Sequence, residues 1–82
     1  MLHNLEFKPM DQTEISSLGK LIAERRKELN ISQADLAEMS GVSLRTVNGI
    51  ESGRANPSVK VLFELLQVLG LVITLKERVV HE

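Results

Sequence analysis

Residues 32–53 read SQADLAEMSGVSLRTVNGIESG, a pattern of two short helices joined by a tight turn. Each helix starts on a serine: Ser32 ahead of Gln33, Ala34, Asp35 and Leu36, and Ser43 ahead of Leu44, Arg45, Thr46 and Val47. A serine hydroxyl in that place accepts a hydrogen bond from an N–H that the first helical turn leaves unpaired. Ser32 and Asp35 have the spacing of a capping box, with Asp standing for the usual Glu. Gly41 and Gly53 fall where each helix end needs a residue able to take positive φ. Helices this short bury little by themselves, so the pair must lean on the rest of the chain.

Upstream, Ile15, Leu18, Ile22, Arg25 and Leu29 recur at three- and four-residue steps, and Leu21 widens that face into an amphipathic first helix. Its start is open. Asp11 with Glu14 caps an early start, stapled by Met10 and Ile15, whereas Ser16 or Ser17 caps a later one. Asn30 is placed to end it as a C′ residue. The second helix runs over about 33–40 with Leu36, Ala37 and Met39 inward, and the third over about 44–52 with Val47 and Ile50 inward. Val42 pins the turn between them to the core. After the loop 53–57, Ser58 caps a fourth helix over 59–69, with a broad apolar face of Val59, Leu62, Phe63, Leu65, Leu66 and Leu69; Gly70 stops it.

At 71–76, LVITLK, the period changes. The run is β-branched, follows a helix stop and reads as a strand. A lone strand leaves N–H and C=O groups unpaired. The expected solution is the same strand of a second copy, antiparallel across a two-fold axis, which makes Leu71, Val72, Ile73, Thr74 and Leu75 dimerisation residues. Extended chain capping the core, or pairing with residues 5–8, are the alternatives. The expected organisation is an arm over 1–10 (a short strand or frayed), a helical domain over 11–70, the strand over 71–77 and a tail over 78–82.

Eighty-two residues allow one small domain, and with 43% hydrophobic and 26% charged residues the composition is that of a globular chain. Phe7 and Phe63 are the only aromatics, so the core is aliphatic. A core of this size needs help from disulfides, metal or a partner chain. With no cysteine, disulfides and thiolate-bound metals are excluded, leaving association of copies. No apolar run approaches the roughly 20 residues of a membrane span, and the N-terminus lacks the layout of a signal peptide, so a cytoplasmic protein without membrane contact is expected. Nothing points to an enzyme. His3 and His81 stand near the ends, there is no Gly-rich phosphate loop, and the carboxylate pairs Glu24/Glu28 and Asp35/Glu38 lie on solvated helix faces. Neither cofactor nor metal is expected.

A net charge of −1 does not suit a non-specific nucleic-acid coat. It leaves room for a specific reader with local positive charge, and residues 43–62 carry Arg45, Arg54 and Lys60 against Glu51 alone. An α-helix fits the B-DNA major groove, where each base pair shows a distinct set of donors and acceptors. With Val47 and Ile50 inward, the third helix has Ser43, Leu44, Arg45, Thr46, Asn48 and Gly49 at its start or outer side. Arg45 has the donors for guanine and Asn48 the amide for adenine, Leu44 or Thr46 can touch a thymine methyl, and Gly49 permits close approach. Ser32 and Gln33 at the second helix, with Arg54, Asn56, Ser58 and Lys60 around the fourth, are candidates for phosphates. Ser-capped short helices with polar faces also occur in helical domains that never touch DNA, so patterning by itself leaves that alternative standing.

The run 29–56, with Ser32-Gln33-x-x-Leu36-Ala37, Gly41-Val42-Ser43, Thr46-Val47, Ile50-Glu51 and Gly53 at fixed offsets, resembles the XRE/Cro family of phage and bacterial repressors. The resemblance covers about residues 18–69. It implies an all-α, lambda-repressor-like bundle of four or five helices, here with the C-terminal strand as an intersubunit ribbon. It further implies that Gln33 contacts the DNA backbone and supports the reading helix, that Ser43, Leu44 and Arg45 face bases, and that Arg26 pairs with Glu51. Residues 66–75, LQVLGLVITL, are similar to HipB-type antitoxins, dimeric autorepressors that also bind a HipA-type kinase toxin. That likeness carries no toxin-binding residues across. Within the class, the alternative is a stand-alone or phage-type regulator without a toxin; outside it, a module that inhibits a partner enzyme without binding DNA.

Overall fold

The computed structural model describes residues 12–77. The expected arm, the Asp11 cap with its Met10 staple, pairing with residues 5–8 and the tail lie outside them. The described residues form four helices: α1 Gln12–Glu28, α2 Gln33–Ser40, α3 Leu44–Glu51 and α4 Val59–Leu69. The early start of α1 is the one realised, with Ser16 and Ser17 inside the helix rather than capping it.

Local signals act as their chemistry requires. Ser32 Oγ accepts from the Asp35 N–H at 2.9 Å while Asp35 Oδ2 accepts from the Ser32 N–H at 2.9 Å, a complete capping box. The bond from the Ser32 backbone N–H, with the Ser32 hydroxyl beside it as the second cause, holds the Asp35 carboxyl below its ordinary pKa. Ser43 and Ser58 cap α3 and α4 through the N–H groups of Thr46 and Val61, both at 3.1 Å. Asn30 takes φ +59 at the end of α1, with the Ile31 N–H returning to the Arg26 carbonyl at 3.3 Å. This is the Schellman closure that turns the chain into α2.

Ile22, Leu36, Val47, Ile50, Leu65 and Leu69 are almost wholly buried, and Ala37 and Val42 complete the centre. α3 packs against α1 and α2, while α4 closes the bundle from α2 and α1. Several expected core residues stand further out. Leu29, Met39, Val59 and Phe63 are exposed, and so is Leu21 at 60%. Periodicity marks the apolar face of a helix, but a bundle of four short helices covers only the centre of each face.

The C-terminal strand is absent: residues 71–77 contain no β-structure among the described residues. A strand is defined by its hydrogen-bonded neighbour, and the described residues of one copy offer none. The Leu71 N–H returns to the Leu66 carbonyl at 3.0 Å and its side chain packs on the core. This matches the alternative of extended chain capping the core. Beyond it, Val72 and Leu75 are 87% and 91% exposed.

Candidate nucleic-acid interface

α2, the turn over 41–43 and α3 form a helix-turn-helix whose outer side carries most of the predicted residues. Gly41 at φ +78 makes the turn, its N–H bonded to the Ala37 carbonyl, and open space surrounds the position a Cβ would take. Ser43, Leu44 and Arg45 are exposed at the start of α3. Arg45 has no hydrogen-bond or ion-pair partner among the described residues, which leaves its donors available to a ligand. Thr46 is half-buried, and its hydroxyl accepts from Ser43 Oγ at 2.8 Å. The expected phosphate-side residues Ser32, Arg54, Asn56, Ser58 and Lys60 are exposed, and Gln33 is half-buried at the first turn of α2. The Ser32 and Ser58 hydroxyls serve as caps.

Gly49 is a correction. Expected on the outer side, it is buried, with a Cβ placed there lying 3.1 Å from Ala55 Cβ. Its carbonyl accepts from the Arg54 and Ala55 N–H groups at 2.9 and 3.0 Å. The close approach it permits is to the protein's own loop, which folds back over the end of α3. Position on a helical wheel could not reveal that fold-back.

A polar junction holds the motif to α1. Arg26 Nε donates to Glu51 Oε2 at 2.8 Å and Arg26 NH2 to Glu51 Oε1 at 3.0 Å, a two-pronged pair whose side chains are 11% and 5% exposed. Arg26 NH1 also donates to the Ile31 carbonyl at 2.9 Å, in the bend between α1 and α2. Burial pushes the Glu51 carboxyl up, but the bonds from Arg26 and Gln33 and the charges of Arg26 and Lys27 outweigh it, leaving it below its ordinary pKa. The Glu51 bond raises Arg26 against the opposing cost of burial. Nearby, Gly19 lets α1 touch the end of α3, where a Cβ would collide with the Ile50 carbonyl oxygen and crowd Glu51 Cα.

Two features escaped the sequence reading. Gln33, Asn48 and Arg54 form one hydrogen-bonded chain with Glu51, although 18 residues separate Gln33 from Glu51. Arg25, placed by its spacing on the apolar side of α1, donates from Nε to the Leu69 carbonyl at 2.9 Å and so closes the end of α4. Both depend on which helices become neighbours.

A helix-turn-helix family model matches residues 22–73, more than half of the chain. The chain belongs to the XRE-type helix-turn-helix family. These are transcriptional regulators that bind double-stranded DNA. An uncharacterized HTH-type transcriptional regulator of Methanothermobacter thermautotrophicus is 42% identical to this helix-turn-helix chain over 50 residues, which cover 61% of the chain and 72% of that relative. The HTH-type transcriptional regulator PuuR of Escherichia coli is 34% identical over 56 residues, 68% of this chain but 30% of PuuR. Among solved structures, the restriction-modification controller protein C.AhdI from Aeromonas hydrophila superposes with a TM-score of 0.71 at 28% identity, covering 73% of this chain and 91% of that one. Matched residues 22–73 take in α2, α3, α4 and the Arg26–Glu51 junction. No helix among the described residues is long and apolar enough to cross a membrane.

Proposed function

We propose that the chain is a sequence-specific, operator-binding transcriptional repressor that works as a homodimer. The observation that carries the proposal is the exposed start of α3, where Arg45 stands unpartnered beside Ser43 and Leu44 while a buried ion pair ties the far end of the helix to α1. Such a helix can enter a major groove by its N-terminal end as one rigid body with its support. Ser43, Leu44, Arg45, Thr46 and Asn48 are the proposed base contacts, with Gln33, Arg54, Asn56, Ser58 and Lys60 toward phosphates.

The dimer is supported by the C-terminal segment. The backbone groups of 72–77 have no partner among the described residues, and Val72, Ile73 and Leu75 are exposed on a segment that, with α1, walls a groove of about 370 Å³. A second copy of the same segment supplies both the missing hydrogen bonds and an apolar cover, and it sets the spacing of two reading heads on an operator. Within this class, the likeness of residues 66–75 to HipB-type antitoxins supports a narrower reading, autorepression paired with a HipA-like kinase. A kinase-like reading frame beside the gene, with a product that co-purifies with this chain, would test it; a neighbourhood without one would favour the stand-alone regulator.

A gel shift on the chain's own upstream region tests the proposal. The expected outcome is a sequence-selective complex that weakens steeply with salt. Arg45→Ala should cost about 1–3 kcal/mol at one base position while leaving the melting curve in place. Absence of a selective complex would leave the inhibitory protein-binding module as the better account.

A further inference from the structure

Four side chains lie in series from the interior to the surface. The Glu51 carboxylate, 5% exposed, accepts from Gln33 Nε2 at 2.9 Å. Gln33 Oε1 accepts from Asn48 Nδ2 at 3.2 Å, and Asn48 Oδ1 accepts from Arg54 NH2 at 2.9 Å. The ends of this series have opposite and fixed chemistry. An ionised carboxylate only accepts and a guanidinium only donates. Between them the two amides have one consistent orientation, because turning either one sets N–H against N–H or oxygen against oxygen. We infer that Glu51, acting through Gln33, is a positioning device that fixes the amide direction of Asn48 and the station of Arg54, and thereby sets a base preference on the reading face.

The capacity of Asn48 makes this consequential. An asparagine amide has two N–H donors and two acceptor sites; Gln33 and Arg54 take one of each. One donor and one acceptor remain on an exposed side chain, in an order set from inside the protein. Adenine presents an acceptor at N7 and a donor at N6 in the major groove, so an amide held in one direction matches it in one orientation only. A freely turning amide would accept both. Gln33 is therefore assigned a role in selectivity beyond any bond to phosphate.

This inference rests on the DNA-reading function proposed above, and its test separates the two. The full chain, Asn48→Ala and Gln33→Met are each used to select sites from a randomised duplex pool. Gln33→Met removes both amide bonds and leaves the Arg26–Glu51 pair in place. The expected result is a wild-type consensus, one position lost in Asn48→Ala, and the same position degraded in Gln33→Met by about tenfold in preference, with other positions kept. A Gln33→Met protein that weakens on every sequence alike and keeps the consensus overturns the inference and leaves the reading function standing. A wild-type chain that selects no consensus overturns both. Without any variant, the free protein should show side-chain amide protons of Gln33 and Asn48 that are shifted and slow to exchange; solvent-like amide signals would also overturn the inference.

Discussion

On the side of α1 that meets α3, contacts are polar, tight and complete: Gly19 against the Ile50 carbonyl, Arg26 paired twice with Glu51, and Arg26 again on the Ile31 carbonyl. On the side that meets α4 and residues 71–77, Arg25 holds the Leu69 carbonyl and acidic side chains line the rim, but the surface between is largely apolar and open. Leu18 and Leu71 pack on the core, yet Leu21 and Val72 stay 60% and 87% exposed. Hydrogen bonds and charges are directional, so a single copy can satisfy them and hold one geometry. Apolar surface has no direction and is satisfied by whatever covers it. The first side specifies how the helix-turn-helix is held; the second leaves surface for association.

Four experiments would break or sharpen that contrast. The largest effect is expected from Glu51→Ala, which strands the Arg26 charge in a site 11% exposed and should cost about 3–5 kcal/mol in urea or thermal unfolding. The double variant Arg26→Met with Glu51→Leu should recover most of that stability. If it also kept the DNA affinity of the wild type, the view that the pair specifies geometry would fail. Gly19→Ala comes next. Alanine is the better helix former, but its Cβ would collide with the Ile50 backbone, so destabilisation by about 1–3 kcal/mol is expected in thermal unfolding, and a stabilised variant would show the contact to be loose.

The acid limb of stability ranks third. Glu51 has a depressed pKa in the folded state, so its contribution is present above the ordinary Glu value of about 4.3 and is lost as pH falls through the folded value. Asp35 acts in the same direction. Melting followed from neutral pH to about 3 should show a shallower loss in the Arg26→Met, Glu51→Leu variant, because the Glu51 part is gone. The smallest effect on the isolated fold is expected on the open side. Val72→Ser and Leu75→Ser should change unfolding in dilute solution by no more than about 0.5 kcal/mol, while lowering the association seen in sedimentation. Equal sedimentation of variant and wild type would argue against association through this segment.

Caps, turns and the helix pair itself were legible in residues 32–53, because each depends on partners within a few positions: Ser32 on Asp35, Ser43 on Thr46, Gly41 on its own φ. The Arg26–Glu51 pair was legible only through the family likeness, as no local rule joins residues 25 apart. Gly49, Gly19 and Arg25 were misread or overlooked because their roles depend on a neighbour: the loop folded over α3, the end of α3 against α1, the last carbonyl of α4. The strand expected over 71–76 does not form within the described residues of one copy, for a related reason. β-Branched residues state a preference, but a partner edge makes the strand.

Local chemistry by itself therefore determined where the helices begin and end around the motif, since those choices are settled by bonds within one or two turns. Tertiary structure alone decided that Glu51, Gln33, Asn48 and Arg54 lie in one line, that Gly49 is covered and that the C-terminal segment stays open. These features depend on the angle at which helices cross, and that angle is set by the whole packed core.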